Sequence, residues 1–189
     1  MGGMRWEWRT YGEALGEAGR RLGALEPERV AESAEVYLLS GDAPAAVKVR
    51  DGLMDVKRLE QVDGHGLELW RPVMKAPMPV PAEDARDVLA ALGVPAPLAD
   101  GEYDEAGLVE ASGGAVRAVP VHKTRRHVSF GGCMAELTDL RAAGRTTRTI
   151  AIEAEDPALV IAAVRELGMG ARPNVNVPLI LSALVRTPV

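Results

Sequence analysis

A chain of 189 residues with 47% hydrophobic content is long enough to bury a proper core and suits one domain, or at most two small ones. Its formal net charge of −5 argues against bulk nucleic-acid binding, and its single cysteine, Cys133, excludes an intramolecular disulfide and a cysteine-based zinc site. The opening MGGMRWEWRTYG has no apolar signal core, and no apolar run approaches the ~20 residues of a membrane helix, so the expectation is a cytoplasmic protein with no membrane association.

Met4 to Tyr11 alternates as a strand, with Trp6 and Trp8 on one face and Arg5, Glu7 and Arg9 on the other. Glu13 to Leu25, rich in Ala, Leu, Glu and Arg, predicts a helix that ends at the Glu26-Pro27 step. Glu35 to Ser40 reads as a short strand. Ala46 to Arg58 reads as a hairpin around Asp51-Gly52, a strong two-residue turn signal. With that loop, Arg50 pairs with Leu53, Lys48 with Asp55 and Ala46 with Lys57. Lys48, Arg50, Asp55 and Lys57 then share one face, while Val47, Val49, Met54 and Val56 share the other.

Leu67 to Val73 predicts a further strand, reached through the Asp63-Gly64-His65-Gly66 turn, where His65 reads as a solvated turn residue. The three-proline stretch Ala76 to Pro81 reads as a linker or loop. Ala82 to Leu92 has helical spacing at Val88, Leu89 and Leu92, and Val94 to Asp100 breaks it. Asp104 to Ala111 is a short helix or a loop. Ala115 to Phe130 is one long strand or two, Met134 to Leu140 a strand, and Arg145 to Glu155 a strand. Asp156 with Pro157 marks a helix start, Ala158 to Leu167 the helix, and Gly168 its stop. Val177 to Leu184 predicts one more helix. Each half holds several strands followed by a helix, which allows a pseudo-duplicated barrel.

The charged faces repeat one pattern. Lys123 and Arg125 share a face with His127, and His122 takes the opposite one. Glu136 and Thr138 lie opposite Ala135 and Leu137, and Thr147, Thr149, Glu153 and Glu155 lie opposite Ile150 and Ile152. A half-solvated antiparallel sheet also alternates. Here, however, cations or carboxylates recur at every second residue, and few helices are available to cover the apolar faces. A closed barrel with a charged lumen and helices outside meets both demands. Such a lumen suits phosphate oxygens on Lys and Arg, and Mg²⁺ or Mn²⁺ on Glu. Trp6, Trp8 and Trp70 read as packing between barrel and helices. Cys133 has no histidine partner in sequence, and Gly131-Gly132 lacks the spacing of a phosphate loop.

The strand Arg5-Trp6-Glu7-Trp8-Arg9, the hairpin VKVRDGLMDVKRL, the KTR of Lys123 to Arg125, the AELTDL strand, and IAIEAED followed by two helices together resemble the CYTH superfamily, the triphosphate tunnel metalloenzymes. The order and spacing cover most of the chain, and no single motif is specific alone. The resemblance implies an α+β fold over residues 1–189: a closed eight-stranded antiparallel barrel, or tunnel, with helices packed outside. It implies a metal-dependent phosphohydrolase acting on inorganic tripolyphosphate or an organic triphosphate, with Mg²⁺ or Mn²⁺. Members of the family also include an adenylate cyclase class. Carried over by position, Glu7 and Glu153 are the catalytic pair, and Glu7, Glu136, Glu153 and Glu155 hold metal. Arg9, Lys48, Arg50, Lys57, Lys123 and Arg125 bind phosphate. The expected partner is a small triphosphate or polyphosphate, without nucleic acid or membrane, and a homodimer is allowed.

The chain departs from the family's opening Glu-x-Glu-x-Lys. Arg5 stands where the first glutamate belongs, which removes a ligand or acid/base group and repels a divalent ion. Arg9 stands for the lysine, and a guanidinium is no general base near neutral pH. The alternative is therefore a phosphate- or polyphosphate-binding module of the same fold with impaired catalysis.

Overall fold

The computed structural model describes residues 3–41 and 43–186. In chain order its elements are β1 (Arg5–Gly12), α1 (Gly16–Ala24), β2 (Arg29–Leu39), β3 (Ala45–Arg50), β4 (Leu53–Val62), β5 (Glu68–Pro77), β6 (Val80–Pro81), α2 (Ala82–Ala91), β7 (Glu102–Tyr103), α3 (Glu105–Ala111), β8 (Arg117–Phe130), β9 (Cys133–Ala142), β10 (Arg145–Ala154), α4 (Pro157–Glu166) and α5 (Val177–Arg186). Eight strands close into one barrel in the order β1-β10-β9-β8-β2-β3-β4-β5, and the antiparallel pairing of β1 with β5 completes the ring. β6 and β7 form a separate short ladder. The expected α+β barrel with outer helices is the observed fold.

Alternation sorts the strand residues between two environments. The outward apolar set of β3 and β4 (Val47, Val49, Met54, Val56) packs under α2 and α3 through Val88, Leu89 and Leu108. On the other side, Trp8, Ala135, Ile150 and Ile152 pack under α1 and α4 through Leu22, Val160 and Val164. Each buried Val, Leu, Ile or Met side chain among them contributes ~1.5–3 kcal/mol by leaving water. The β3–β4 register is the one the turn residues dictate: Arg50 opposite Leu53, Lys48 opposite Asp55 and Ala46 opposite Lys57. Asp51 and Gly52 take positive φ, 54° and 71°, which suits a tight turn between right-twisted strands. At α4, Asp156 Oδ1 accepts a 2.8 Å hydrogen bond from the Ala158 amide, and Pro157 follows at the first turn.

Three features differ from the sequence expectation. β2 begins at Arg29 rather than at Glu35, because its first half is held by an eleven-residue ladder to β8 rather than by apolar burial. The Ala76 to Pro81 stretch is not simply a linker: β5 runs to Pro77 and β6 follows. Trp70 faces the lumen instead of the helices, while Trp6 and Trp8 pack outward as expected.

One end of the barrel is filled. Inward-facing Tyr37, Leu39, Val119, Val121, Leu140 and Ala142 form an apolar cluster with Val177 and Leu181 of α5. The segment before α5 is tied to β1: the Val175 amide donates to the Arg9 carbonyl at 2.7 Å, and Asn174 Oδ1 accepts from the Arg9 amide at 2.7 Å. Asn174 Nδ2 also donates to the carbonyls of Gly66 and Glu7, so this side chain bridges the β1 and β5 edges where their short ladder stops. No helix among the described residues is long and apolar enough to cross a membrane.

Candidate functional site

Above the apolar floor, the lumen holds a cavity of about 390 Å³. Its wall carries Arg9, Lys48, Arg50, Lys57, Lys123 and Arg125, all the cations expected to bind phosphate. Glu7, Glu136 and Glu153 line it as well. Glu155 is exposed and does not line the cavity, so three of the four expected metal carboxylates come together and the fourth does not. His127 lines the cavity, His122 lies on the outer face, and His65 is an exposed turn residue.

Two charge networks divide the wall. In the first, Arg9 Nε donates to Glu7 Oε1 at 2.8 Å and Arg9 Nη1 to Glu136 Oε1 at 3.1 Å. Thr138 Oγ1 donates to the same Glu136 oxygen, and Arg125 Nε lies 3.6 Å from Glu136 Oε2. Burial pushes the Glu136 carboxyl up, but Arg9, Lys123 and Arg125 outweigh it and hold the group well below the usual carboxylate range. Glu7 is likewise held low: burial raises it, and Arg9 with Lys57 overcomes the rise.

Glu153, paired with Glu7 across the β1–β10 ladder, behaves oppositely. Burial, with the negative charge of Glu7, pushes its carboxyl up to about 7. Lys57 and Arg9 pull it the other way without offsetting that rise, and among the described residues its side chain has no hydrogen bond or ion pair.

The second network centres on Glu35, which sequence reading placed at a strand start and did not single out. Its side chain is fully buried. Arg125 Nη2 pairs with Oε1, Lys123 Nζ lies 3.2 Å from Oε2, Arg50 Nη1 3.5 Å from Oε1 and Lys48 Nζ 3.9 Å from Oε2. Ser33 Oγ donates to Oε1 at 3.2 Å. Lys123 Nζ also donates to Tyr37 Oη at 2.8 Å and sits 4.7 Å from that ring's centre, a cation–π contact. The signal for Glu35 was the same period of two used elsewhere: Ser33, Glu35, Tyr37 and Leu39 share a face. Glu68 was also missed. It accepts from Trp70 Nε1 at 3.1 Å and from Asn176 Nδ2 at 2.8 Å, which explains the inward turn of that tryptophan.

Arg5 is exposed at a side cavity of about 270 Å³ that it shares with Lys57, Trp70, Glu7 and Glu153. A cation therefore stands beside the Glu7–Glu153 pair.

Among solved structures, the chain is similar to a candidate adenylate cyclase of Bacillus halodurans (TM-score 0.51, 12% identity, 93% of this chain and 96% of that one). It is similar to a candidate adenylyl cyclase of Hippeastrum whose dominant activity is that of a triphosphatase (TM-score 0.51, 10% identity, 95% of each chain). A conserved hypothetical protein of Pyrococcus furiosus matches at TM-score 0.54 and 16% identity over 94% of this chain and 99% of that one. No family model and no curated protein matches the sequence. At these identities the likeness is one of fold: a closed eight-stranded antiparallel barrel with helices packed against it.

Proposed function

We propose that this protein binds the phosphate chain of a triphosphate-containing substrate in its barrel cavity and hydrolyses it with the help of Mg²⁺ or Mn²⁺. The observation that carries the reading is the convergence, in one cavity, of Lys48, Arg50, Lys57, Lys123 and Arg125 with the carboxyl pair Glu7 and Glu153. Charged N–H groups supply short, strong hydrogen bonds to phosphate oxygens, and the guanidinium forks of Arg50 and Arg125 orient them. The triphosphatase activity of the Hippeastrum protein agrees with this reading.

The residues fit a hard divalent cation in part. Among the described residues, no cluster of three or more His, Cys, Asp or Glu side chains is poised to hold an ion unaided. Magnesium, however, commonly uses one or two carboxylates and completes its shell with water and substrate phosphate. Glu7 Oε2 and the Glu153 carboxylate suit that role, whereas both Glu136 oxygens already face Arg9 or Arg125. When bound, the ion would polarise a phosphoryl oxygen and lower the pKa of water. Arg9 holds Glu7 and Glu136 in place, and the Lys and Arg set fixes the phosphates.

A second reading, a binding module with weak or no turnover, is favoured by Arg5 and by the guanidinium of Arg9 already bridging two carboxylates. Thermal unfolding with tripolyphosphate, with and without Mn²⁺ and with phosphate release followed in the same samples, separates the two. The hydrolase predicts stabilisation and metal-dependent release, and Glu153→Gln abolishes that release while the fold survives. Turnover retained in Glu153→Gln sinks the assignment of Glu153. Stabilisation without release supports the module, and no stabilisation sinks both.

A further inference from the structure

We infer that Glu35 is the positioning residue of the phosphate clamp: its buried carboxylate gathers the heads of Lys48, Arg50, Lys123 and Arg125 so that their outward N–H groups face the cavity. This inference rests on the phosphate-binding reading of the cavity.

The four cations come from two strands, β3 and β8, that flank β2 on either side. Alternation and register send all four side chains into the lumen, with Arg50 opposite Glu35, and like charges at this spacing repel. Glu35 sits on the strand between them, with a side chain fully shielded from water. Both of its oxygens face cations: Oε1 accepts from Arg125 and Ser33 with Arg50 at 3.5 Å, while Oε2 accepts no hydrogen bond and has Lys123 at 3.2 Å and Lys48 at 3.9 Å as ion-pair neighbours. Ser33 Oγ in turn accepts from Arg125 Nη1, so the guanidinium is held on two of its nitrogens. The four cations and one carboxylate keep a net positive cluster at the depth of the cavity. A buried carboxylate with one oxygen left without a hydrogen bond is costly to build unless the arrangement it enforces is used.

Lys123 is the cation most dependent on that carboxylate. The groups facing its amine are Glu35 and Tyr37 from β2, Lys48 from β3, Arg125 on its own strand, Glu136 from β9 and Arg9 from β1. Burial, opposed by Glu35 and reinforced by Lys48 and Arg125, brings the amine down to about 7. Loss of the Glu35 charge removes the strongest support for the protonated form. The clamp then loses a cation at a lower pH than in the wild type, and the remaining three splay apart.

The test is calorimetric titration of the full chain with tripolyphosphate, without added metal, at several pH values for wild type, Glu35→Gln and Glu35→Asp. Circular dichroism and thermal unfolding verify the fold of each. Glu35→Gln is expected to weaken binding about tenfold or more at about pH 7, where the wild-type amine keeps a proton that the variant's has lost, with the deficit narrowing in more acid solution, where both are protonated, and in more alkaline solution, where both are neutral. Glu35→Asp keeps the charge, so it is expected to keep the wild-type pH profile with a smaller loss. If Glu35→Gln does not fold, Ser33→Ala, which removes one hydrogen bond to Glu35 Oε1 and the acceptor of Arg125 Nη1, is expected to weaken binding several-fold. Equal binding by wild type and Glu35→Gln at every pH overturns the inference alone. Tighter binding by Glu35→Gln also overturns it and makes Glu35 an internal competitor for the cations. Absence of binding by the wild type overturns the phosphate reading and this inference together.

Discussion

Arg9 carries more of the site's electrostatics than its strand position suggests. Its side chain is 8% exposed and bridges Glu7 and Glu136. The two carboxylates raise its pKa against the opposing effect of burial. Removing one member of a buried ion network leaves the others uncompensated, so Arg9→Met is expected to cost about 3–5 kcal/mol in urea unfolding. A loss below about 1 kcal/mol would mean that water reaches the pair and screens it. Glu35 gives the second residue-scale expectation. Burial pushes its carboxyl up, but Lys123, Lys48 and Arg125 outweigh that and depress it below its unfolded value. A depressed carboxylate contributes stability that is present above the unfolded pKa of about 4.3 and is lost as pH falls toward the folded value. The stability gap between wild type and Glu35→Gln should therefore be widest near neutral pH and shrink steadily below about pH 4. Urea midpoints measured across that range check the sign; a gap that widens in acid contradicts it.

At the scale of elements, the β3–β4 hairpin is the part most completely legible in the sequence. Two turn residues fixed its register, and the register sorted every side chain to a face. Gly52→Ala places a Cβ at φ 71° and is expected to destabilise by about 1–2 kcal/mol, read from urea unfolding. The α4 start was equally readable, because Asp-Pro states the cap and the first turn locally. What was not legible depended on long-range partners. The first half of β2 is mostly exposed and polar, and only its ladder to β8 makes it a strand, so Glu35 looked like an end and not a centre. Trp70 gave no local sign of facing inward, since its indole N–H is satisfied by Glu68, which itself depends on Asn176 over a hundred residues away. The amphipathic pattern of α5 predicted a helix without saying that its apolar face fills the barrel. Leu181 is completely buried against that floor, so Leu181→Ala is expected to cost about 2–5 kcal/mol, with the range set by how far the floor collapses. Differential unfolding in urea measures it.

For the whole molecule, closure decides both cooperativity and ligand response. Every barrel strand has two neighbours, and apolar clusters lie on two outer sides and at the inner end of one continuous sheet. Loss of any strand opens an edge and exposes backbone on its neighbours, so the barrel, both helix layers and the floor should unfold together as one domain. The three tryptophans permit a direct check: Trp6 and Trp8 report on the α1 and α4 side, and Trp70 reports on the lumen. Tryptophan fluorescence and far-ultraviolet circular dichroism are expected to give coincident transitions in urea. Saturating tripolyphosphate should move both by the same amount, since a ligand at a hundred times its dissociation constant adds about 2.7 kcal/mol to the folded state as a whole. Separate transitions would show that the layer of α2 and α3 unfolds apart from the rest, and a ligand shift confined to fluorescence would place the bound phosphate on a locally ordered lumen. The formal charge of −5 sharpens the expectation. Attraction must come from the cavity and not from the surface, so added salt should weaken binding less steeply than it does for an exposed cationic patch.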